Sequence, residues 1–200
     1  MTLLFVDHED SFSQNLISQI HFCLLKEKRH QKIQVISSSH LSQMTPLLKN
    51  LKGVIFSPGP YHPKDYPDSC EFLMKLNDNI PFLGICLGHQ ILLHINGMSI
   101  EKLQEKPKHG EQIFLEFLPS CYLKNLNDCN GKYVLFNSLG CVSLQKNKNQ
   151  YFRVLSKTST QIMMVEHIQK KQFGIQFHPE SFASTRGEFL IEKFLSVLEW

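Results

Sequence analysis

The stretch Pro81-Phe82-Leu83-Gly84-Ile85-Cys86-Leu87-Gly88-His89-Gln90 sets a cysteine between glycines two residues before and two after it. It closes a short apolar run and opens a helical pattern, the cysteine form of the G-x-S-x-G nucleophile elbow. Glycine suits the flanks because side chains there would clash across so tight a turn. Much further along, Phe177-His178-Pro179-Glu180 offers an imidazole and a carboxylate. A thiol attacks as the thiolate, a form favoured at a helix N-terminus and beside an imidazolium. Cys86 would gain both, from the helix starting at Leu87 and from His178. Glu180, two residues beyond His178, falls on the same side of an extended segment. There it would fix the tautomer and orientation of the ring. Backbone N–H groups serve as oxyanion donors, and two stand out: Leu87, next after the cysteine, and Gly59 in Ser57-Pro58-Gly59-Pro60. These residues together predict cysteine-dependent nucleophilic catalysis.

Blander readings compete at several positions. Ser57-Pro58-Gly59-Pro60 is by itself an ordinary turn signal. His89 stands one turn beyond the cysteine on the new helix, and no second cysteine pair completes a zinc site, so no metal is expected. Gln90 is expected to shape the pocket. His21, His30, His40, His62, His94 and His167 read as surface or satisfied histidines, and the acidic turn Asp7 to Asp10 as capping and hydrogen bonding.

The elements that must carry these groups alternate. Thr2 to Val6 reads as a strand, followed by a helix with Phe12, Leu16, Ile20 and Leu24 inward, capped by Asp10 or Ser11. Strands are expected at Ile33–Ile36 and Gly53–Phe56, a helix near Asp65–Leu76, the strand Phe82–Ile85, and a helix from Gly88 to about Ile95. This order predicts an α/β fold with a mostly parallel sheet flanked by helices. Beyond about residue 98 come shorter β-leaning pieces, at Gln112–Phe117, Lys132–Leu135, Phe152–Leu155, Gln161–Ile168 and Gln172–Phe177, separated by turns such as Lys146-Asn147-Lys148-Asn149. A last helix, Gly187–Trp200, would turn Phe189, Leu190, Phe194 and Leu198 inward. Ligands of open α/β sheets sit beyond the carboxyl ends of the strands, where Asp7–Ser11, Ser57–Pro63, Cys86–Gln90 and His178 are all expected.

Composition bounds the rest. Two hundred residues, 42% hydrophobic and 20% charged, suit one domain over residues 1–200 with an ample core. The +3 net charge is mostly lysine, with no basic run interleaved with aromatics, so no nucleic-acid role is expected. No apolar run approaches the roughly 20 residues that span a bilayer. The N-terminus meets an acid at once, so no signal peptide is expected there. Six scattered cysteines without a C-x-x-C pair suit a reducing, cytoplasmic setting.

With these residues assembled, the chain resembles a class I, triad-type glutamine amidotransferase domain with a flavodoxin-like sheet. Gly84-Ile85-Cys86-Leu87-Gly88-His89-Gln90 is similar to that family's nucleophile motif and Gln176-Phe177-His178-Pro179-Glu180-Ser181 to its histidine motif. Asp7-His8-Glu9-Asp10-Ser11-Phe12 resembles the D-N-Y-D-S-F opening of glutaminase subunits that serve anthranilate and aminodeoxychorismate synthases. The resemblance implies L-glutamine as substrate, Cys86, His178 and Glu180 as a catalytic triad, and an oxyanion held by Gly59 and Leu87. It further implies substrate contacts from Gln90, Ser138 and Leu139. By the same resemblance, no cofactor is expected in this chain, and the ammonia would pass to a chorismate-binding, Mg2+-dependent synthase subunit. Two alternatives are a stand-alone γ-glutamyl-type cysteine hydrolase and a non-catalytic binding or regulatory subunit. Three departures bear on them. Tyr61 stands where S-P-G-P-G has its second glycine. Leu135-Phe136-Asn137-Ser138-Leu139 replaces R-Y-H-S-L, and His109-Gly110-Glu111 replaces H-G-K. A tyrosine forced to positive φ would cost about 1–2 kcal/mol.

Overall fold

In the computed structural model, residues 2–29, 31–43, 51–103, 110–144 and 151–198 are described. In chain order they form β1 (Thr2–Asp7), α1 (Ser13–Lys26), β2 (Lys32–Ser37), β3 (Leu51–Phe56), α2 (Pro67–Lys75), β4 (Phe82–Ile85) and α3 (Leu87–Ile95). There follow β5 (Glu101–Lys102), β6 (Glu111–Leu115), β7 (Gly131–Leu135), β8 (Leu139–Gly140), β9 (Phe152–Lys157), β10 (Ile162–His167), β11 (Gln172–Ile175) and α4 (Gly187–Leu195).

One seven-stranded sheet runs in the order β2-β1-β3-β4-β11-β10-β9. The pairs from β2 through β11 are parallel, and β10 and β9 add antiparallel partners at one edge. The expected α/β class with a mostly parallel sheet is therefore observed. The β-rich second half does not stand apart, because β11 returns to pair with β4 and brings β10 and β9 with it. Only the two-stranded pairs β5-β8 and β6-β7 lie outside the main sheet among the described residues.

Period-two alternation assigns the faces. In β1, Leu3 and Phe5 join the core under α1 and α4, while Leu4 and Val6 join the core under α2 and α3. Both faces of the parallel strands are covered, which is why these strands read as continuous apolar runs. Leu16, Ile20 and Leu24 face inward from α1, as expected, while Phe12 is only half-buried.

Several boundaries differ from the sequence reading. Helix α1 begins at Ser13 with no side-chain cap. Asp10 acts one step earlier, its Oδ1 accepting the Phe12 N–H at 2.8 Å and its carbonyl the Ser13 N–H at 3.1 Å. Strand β11 stops at Ile175, so His178 lies past the strand and is held by an isolated bridge to Val134. In α4, Leu190 and Phe194 are buried, as Leu198 is beyond it, but Phe189 is exposed. Its ring lies beneath Arg186 and Lys26, 5.1 and 5.7 Å from the centroid, a cation–π position that covers an aromatic without burying it. The turn Lys146–Asn149, His30 and His109 lie outside the described residues.

Candidate active site

Strands β1, β3, β4 and β11 run parallel, so their carboxyl ends share one rim, and the chemistry-bearing segments follow those ends directly. Asp7–Ser11 follows β1, Ser57–Pro60 follows β3, Cys86 follows β4, and Gln176–Glu180 follows β11.

At the elbow Cys86 adopts φ 51° and ψ −100°, a conformation non-glycine residues seldom take. Its surroundings over-determine it. The Cys86 N–H donates to the Ile175 carbonyl at 2.8 Å, and the Cys86 carbonyl accepts the Gln90 N–H at 3.1 Å. A side chain at Gly84 would come within 2.3 Å of the Gly88 backbone. One at Gly88 would come within 2.7 Å of the Phe56 carbonyl oxygen. Strand and helix therefore meet closely enough to force the turn, and the sulfur sits at the start of α3.

His178 is 1% exposed and its Nδ1–H donates to Glu180 Oε1 at 2.7 Å. That bond fixes the tautomer, leaving Nε2 for the side facing Cys86. The segment is anchored by the His178 N–H on the Val134 carbonyl (2.9 Å) and by the Ser184 hydroxyl on the His178 carbonyl (2.6 Å). Phe12 and Phe136 pack their rings against the imidazole, each centroid 5.3 Å away. Burial alone would lower the His178 pKa. Interactions with Cys86 and Glu180 outweigh it and push the ring up to about 10. Nε2 has no hydrogen-bond partner of ordinary length among the described residues. Cys86 is the group that, with Glu180, raises the pKa of this ring.

The sequence reading did not assign Gln176 a role. Its Nε2 donates to Cys86 Sγ at 3.6 Å and its Oε1 accepts from Gln90 Nε2 at 3.1 Å. Gln90 also donates to the Leu139 carbonyl at 2.9 Å, joining α3 to the segment that carries Ser138 and Leu139. The same carbonyl accepts from Asn137 Nδ2 at 2.9 Å, and Asn137 is buried against Gln161. Leu135 is fully buried in β7. These departures from R-Y-H-S-L have become core and scaffold.

Tyr61 has φ 67°, so the loop keeps the backbone shape of a glycine at that position and carries a tyrosine on it. The side chain is 76% exposed, so little packing among the described residues offsets the strain. It borders a cleft of about 660 Å³ shared with His8, Glu9, Tyr66 and Ser69. The cleft lies beside the loop, not over Cys86.

His89 is fully buried over Gly174, and burial lowers its pKa to about 3, so it is neutral. Among the described residues no group of three or more His, Cys, Asp or Glu could hold a metal ion, and no helix is long and apolar enough to cross a membrane. All six cysteines are free. Burial pushes the Cys129 and Cys141 thiols up to about 11 and Cys23 up to about 12, which removes those three as nucleophiles near neutral pH.

Comparison with known proteins bears on this arrangement. Anthranilate synthase component 2, pyocyanine specific, from Pseudomonas aeruginosa is 28% identical, covering 98% of this chain and 93% of that one. Anthranilate synthase component 2 of Cyanophora paradoxa is 30% identical over 98% and 99% of the two chains. The crystal structure of a glutamine amidotransferase from Thermotoga maritima superposes with a TM-score of 0.73, at 16% identity and over 98% and 95% of the chains, a likeness of fold. The family model for class-I glutamine amidotransferases matches residues 4–198, which takes in the elbow, the histidine segment and the strands that hold them, and to that family the chain belongs.

Proposed function

We propose that this chain is a glutaminase subunit that hydrolyses glutamine and delivers ammonia to a chorismate-aminating synthase subunit, making anthranilate or 4-amino-4-deoxychorismate. Cys86 passes its proton to His178 and attacks the side-chain amide carbon of glutamine. The oxyanion is held by the backbone N–H groups of Gly59 and Leu87. His178 gives its proton to the departing ammonia, leaving a γ-glutamyl thioester. His178 then takes a proton from water, which attacks the thioester and releases glutamate and the Cys86 thiol. Glu180 keeps the ring in the tautomer both steps need. Gln90 and the backbone at Ser138 and Leu139 hold the substrate. The chain itself uses no cofactor.

The observation that carries this reading is His178, buried, with Nδ1 on Glu180 and its opposite face toward a cysteine at a strained elbow. The relatives named anthranilate synthase component 2 support the synthase partner. The retained positive φ at Tyr61 favours an intact oxyanion loop over a decayed one.

Glutamate release from glutamine tests it, with and without a chorismate-utilising synthase subunit and with Cys86→Ser as the blank. Release should depend on Cys86 and rise with the partner, and the aromatic product names the reaction. Equal release without the partner would favour a stand-alone hydrolase. No release despite a stable complex would make the chain a binding subunit.

A further inference from the structure

His8 is 1% exposed and no step of the proposed reaction uses it. It follows β1, directly beneath the loop that carries Gly59. The shortest of the hydrogen bonds around it sets the assignment of the others. The Ser57 hydroxyl has a single hydrogen, and its closest acceptor is the Pro58 carbonyl, at 2.6 Å. Toward His8, Ser57 Oγ therefore accepts, from the backbone N–H at 2.8 Å and from ring Nδ1 at 3.3 Å. With the hydrogen on Nδ1, Nε2 is bare and accepts from the hydroxyl of Ser69, on α2, at 3.1 Å. The ring is held edge-on by Phe56 and Tyr66, with centroids 5.2 and 5.1 Å away.

The far end of this chain of bonds is the Pro58 carbonyl, and the N–H of that same peptide group belongs to Gly59. A hydrogen bond at a carbonyl shifts density along the conjugated peptide and makes its N–H a stronger donor; hydrogen bonds in series reinforce one another. The peptide is also clamped. A Cβ at Gly59 would come within 2.7 Å of His8 Cβ on one side and 2.5 Å of the Leu87 side chain on the other. We propose that Ser69, His8 and Ser57 form a relay that orients and polarises the Pro58–Gly59 peptide, so that His8 is a positioning residue for the Gly59 N–H at the oxyanion. The relay rests on the reading of Gly59 as an oxyanion donor.

It requires a neutral ring, since a protonated one cannot accept from Ser69. Burial supplies that, lowering the His8 pKa to about 4. The D-N-Y-D-S-F motif that this stretch resembles has Asn at this position; histidine, with two ring nitrogens on opposite sides, is what lets one side chain reach both serines.

The test uses Ser69→Ala, which removes only the outermost donor, and His8→Phe, which keeps the ring and loses both bonds. Glutamine turnover is measured with a chorismate-utilising synthase subunit supplied. In parallel, the rate at which iodoacetamide alkylates Cys86 is followed, a displacement at carbon that needs no oxyanion site. The relay predicts a kcat lowered about three- to tenfold in both variants, KM within about twofold of the parent, unchanged alkylation, and recovery in Ser69→Thr. A parental kcat in Ser69→Ala, or an alkylation rate that falls with turnover, would overturn it. Failure of His8→Phe to fold leaves Ser69→Ala decisive. Full turnover by Cys86→Ser would sink the underlying site reading, a result distinct from failure of the relay alone.

Discussion

At the scale of single residues, two backbones near the sheet's carboxyl rim are strained, one at the elbow and one in the loop after β3. Cys86 at φ 51° is held by backbone hydrogen bonds and by the close meeting of Gly84 and Gly88, so its strain is over-determined by structure around it. Tyr61 at φ 67° has no such support, since its side chain points into solvent. Relief of left-handed strain is worth about 1–2 kcal/mol, against about 0.5–1 kcal/mol for the greater freedom of glycine in the unfolded chain. Tyr61→Gly should therefore stabilise the protein by up to about 1 kcal/mol, read as a raised urea midpoint at unchanged m-value. Under the proposed function, turnover should hold or improve. Loss of stability would mean that the exposed ring makes a contribution its surroundings do not reveal.

At the scale of elements, the site depends on how closely β4, α3 and β3 approach. An alanine in a helix normally beats glycine by about 1 kcal/mol. Gly88 should reverse that order, because its Cβ would meet the Phe56 Cβ and carbonyl oxygen at 2.7 Å, and backbone cannot swing aside as a flexible side chain can. Gly88→Ala is expected to destabilise by about 2 kcal/mol or more and, by pushing α3 off β3, to disturb the elbow. Urea unfolding gives the first quantity and Cys86 alkylation the second. A stabilised variant would show that the two elements have slack.

For the whole molecule, three buried histidines tie stability to pH in opposite directions. His8, held down at about 4, and His89, at about 3, are neutral when folded and protonate more readily when unfolded. The unfolded state then binds more protons, so stability falls as pH drops from the ordinary 6.5 toward 4. For His8 alone the loss reaches about 3 kcal/mol at the acid end. His178 has the other sign. Raised to about 10, it contributes stability that is complete below 6.5 and is lost as pH climbs through 10. Urea midpoints across pH should thus peak between these limits. His8→Asn should flatten the acid limb and His178→Asn the alkaline limb. An acid limb of unchanged slope in His8→Asn would show that the ring is not buried neutral.

Local chemistry was legible from sequence wherever it is also local in space. The elbow glycines, the pairing of His178 with Glu180 two residues on, and the alternation of strand and helix all follow from constraints within a few residues. The end of β11 and the cap of α1 were misplaced because each is decided by partners elsewhere: the bridge to Val134 takes His178 out of the strand, and Asp10 spends its carboxylate one residue early. Phe189 fits the helical period yet sits outside, covered by Lys26 from another helix. The relay through His8 was invisible for the same reason, since residues 8, 57 and 69 share no local pattern. By itself the sequence determined the elbow at Cys86, the pairing of His178 with Glu180 and the class of sheet, because sterics at a turn and the period of burial act along the chain. Only the tertiary structure decided which buried polar groups face one another, because hydrogen bonds between distant segments depend on how the sheet brings its strand ends to one rim.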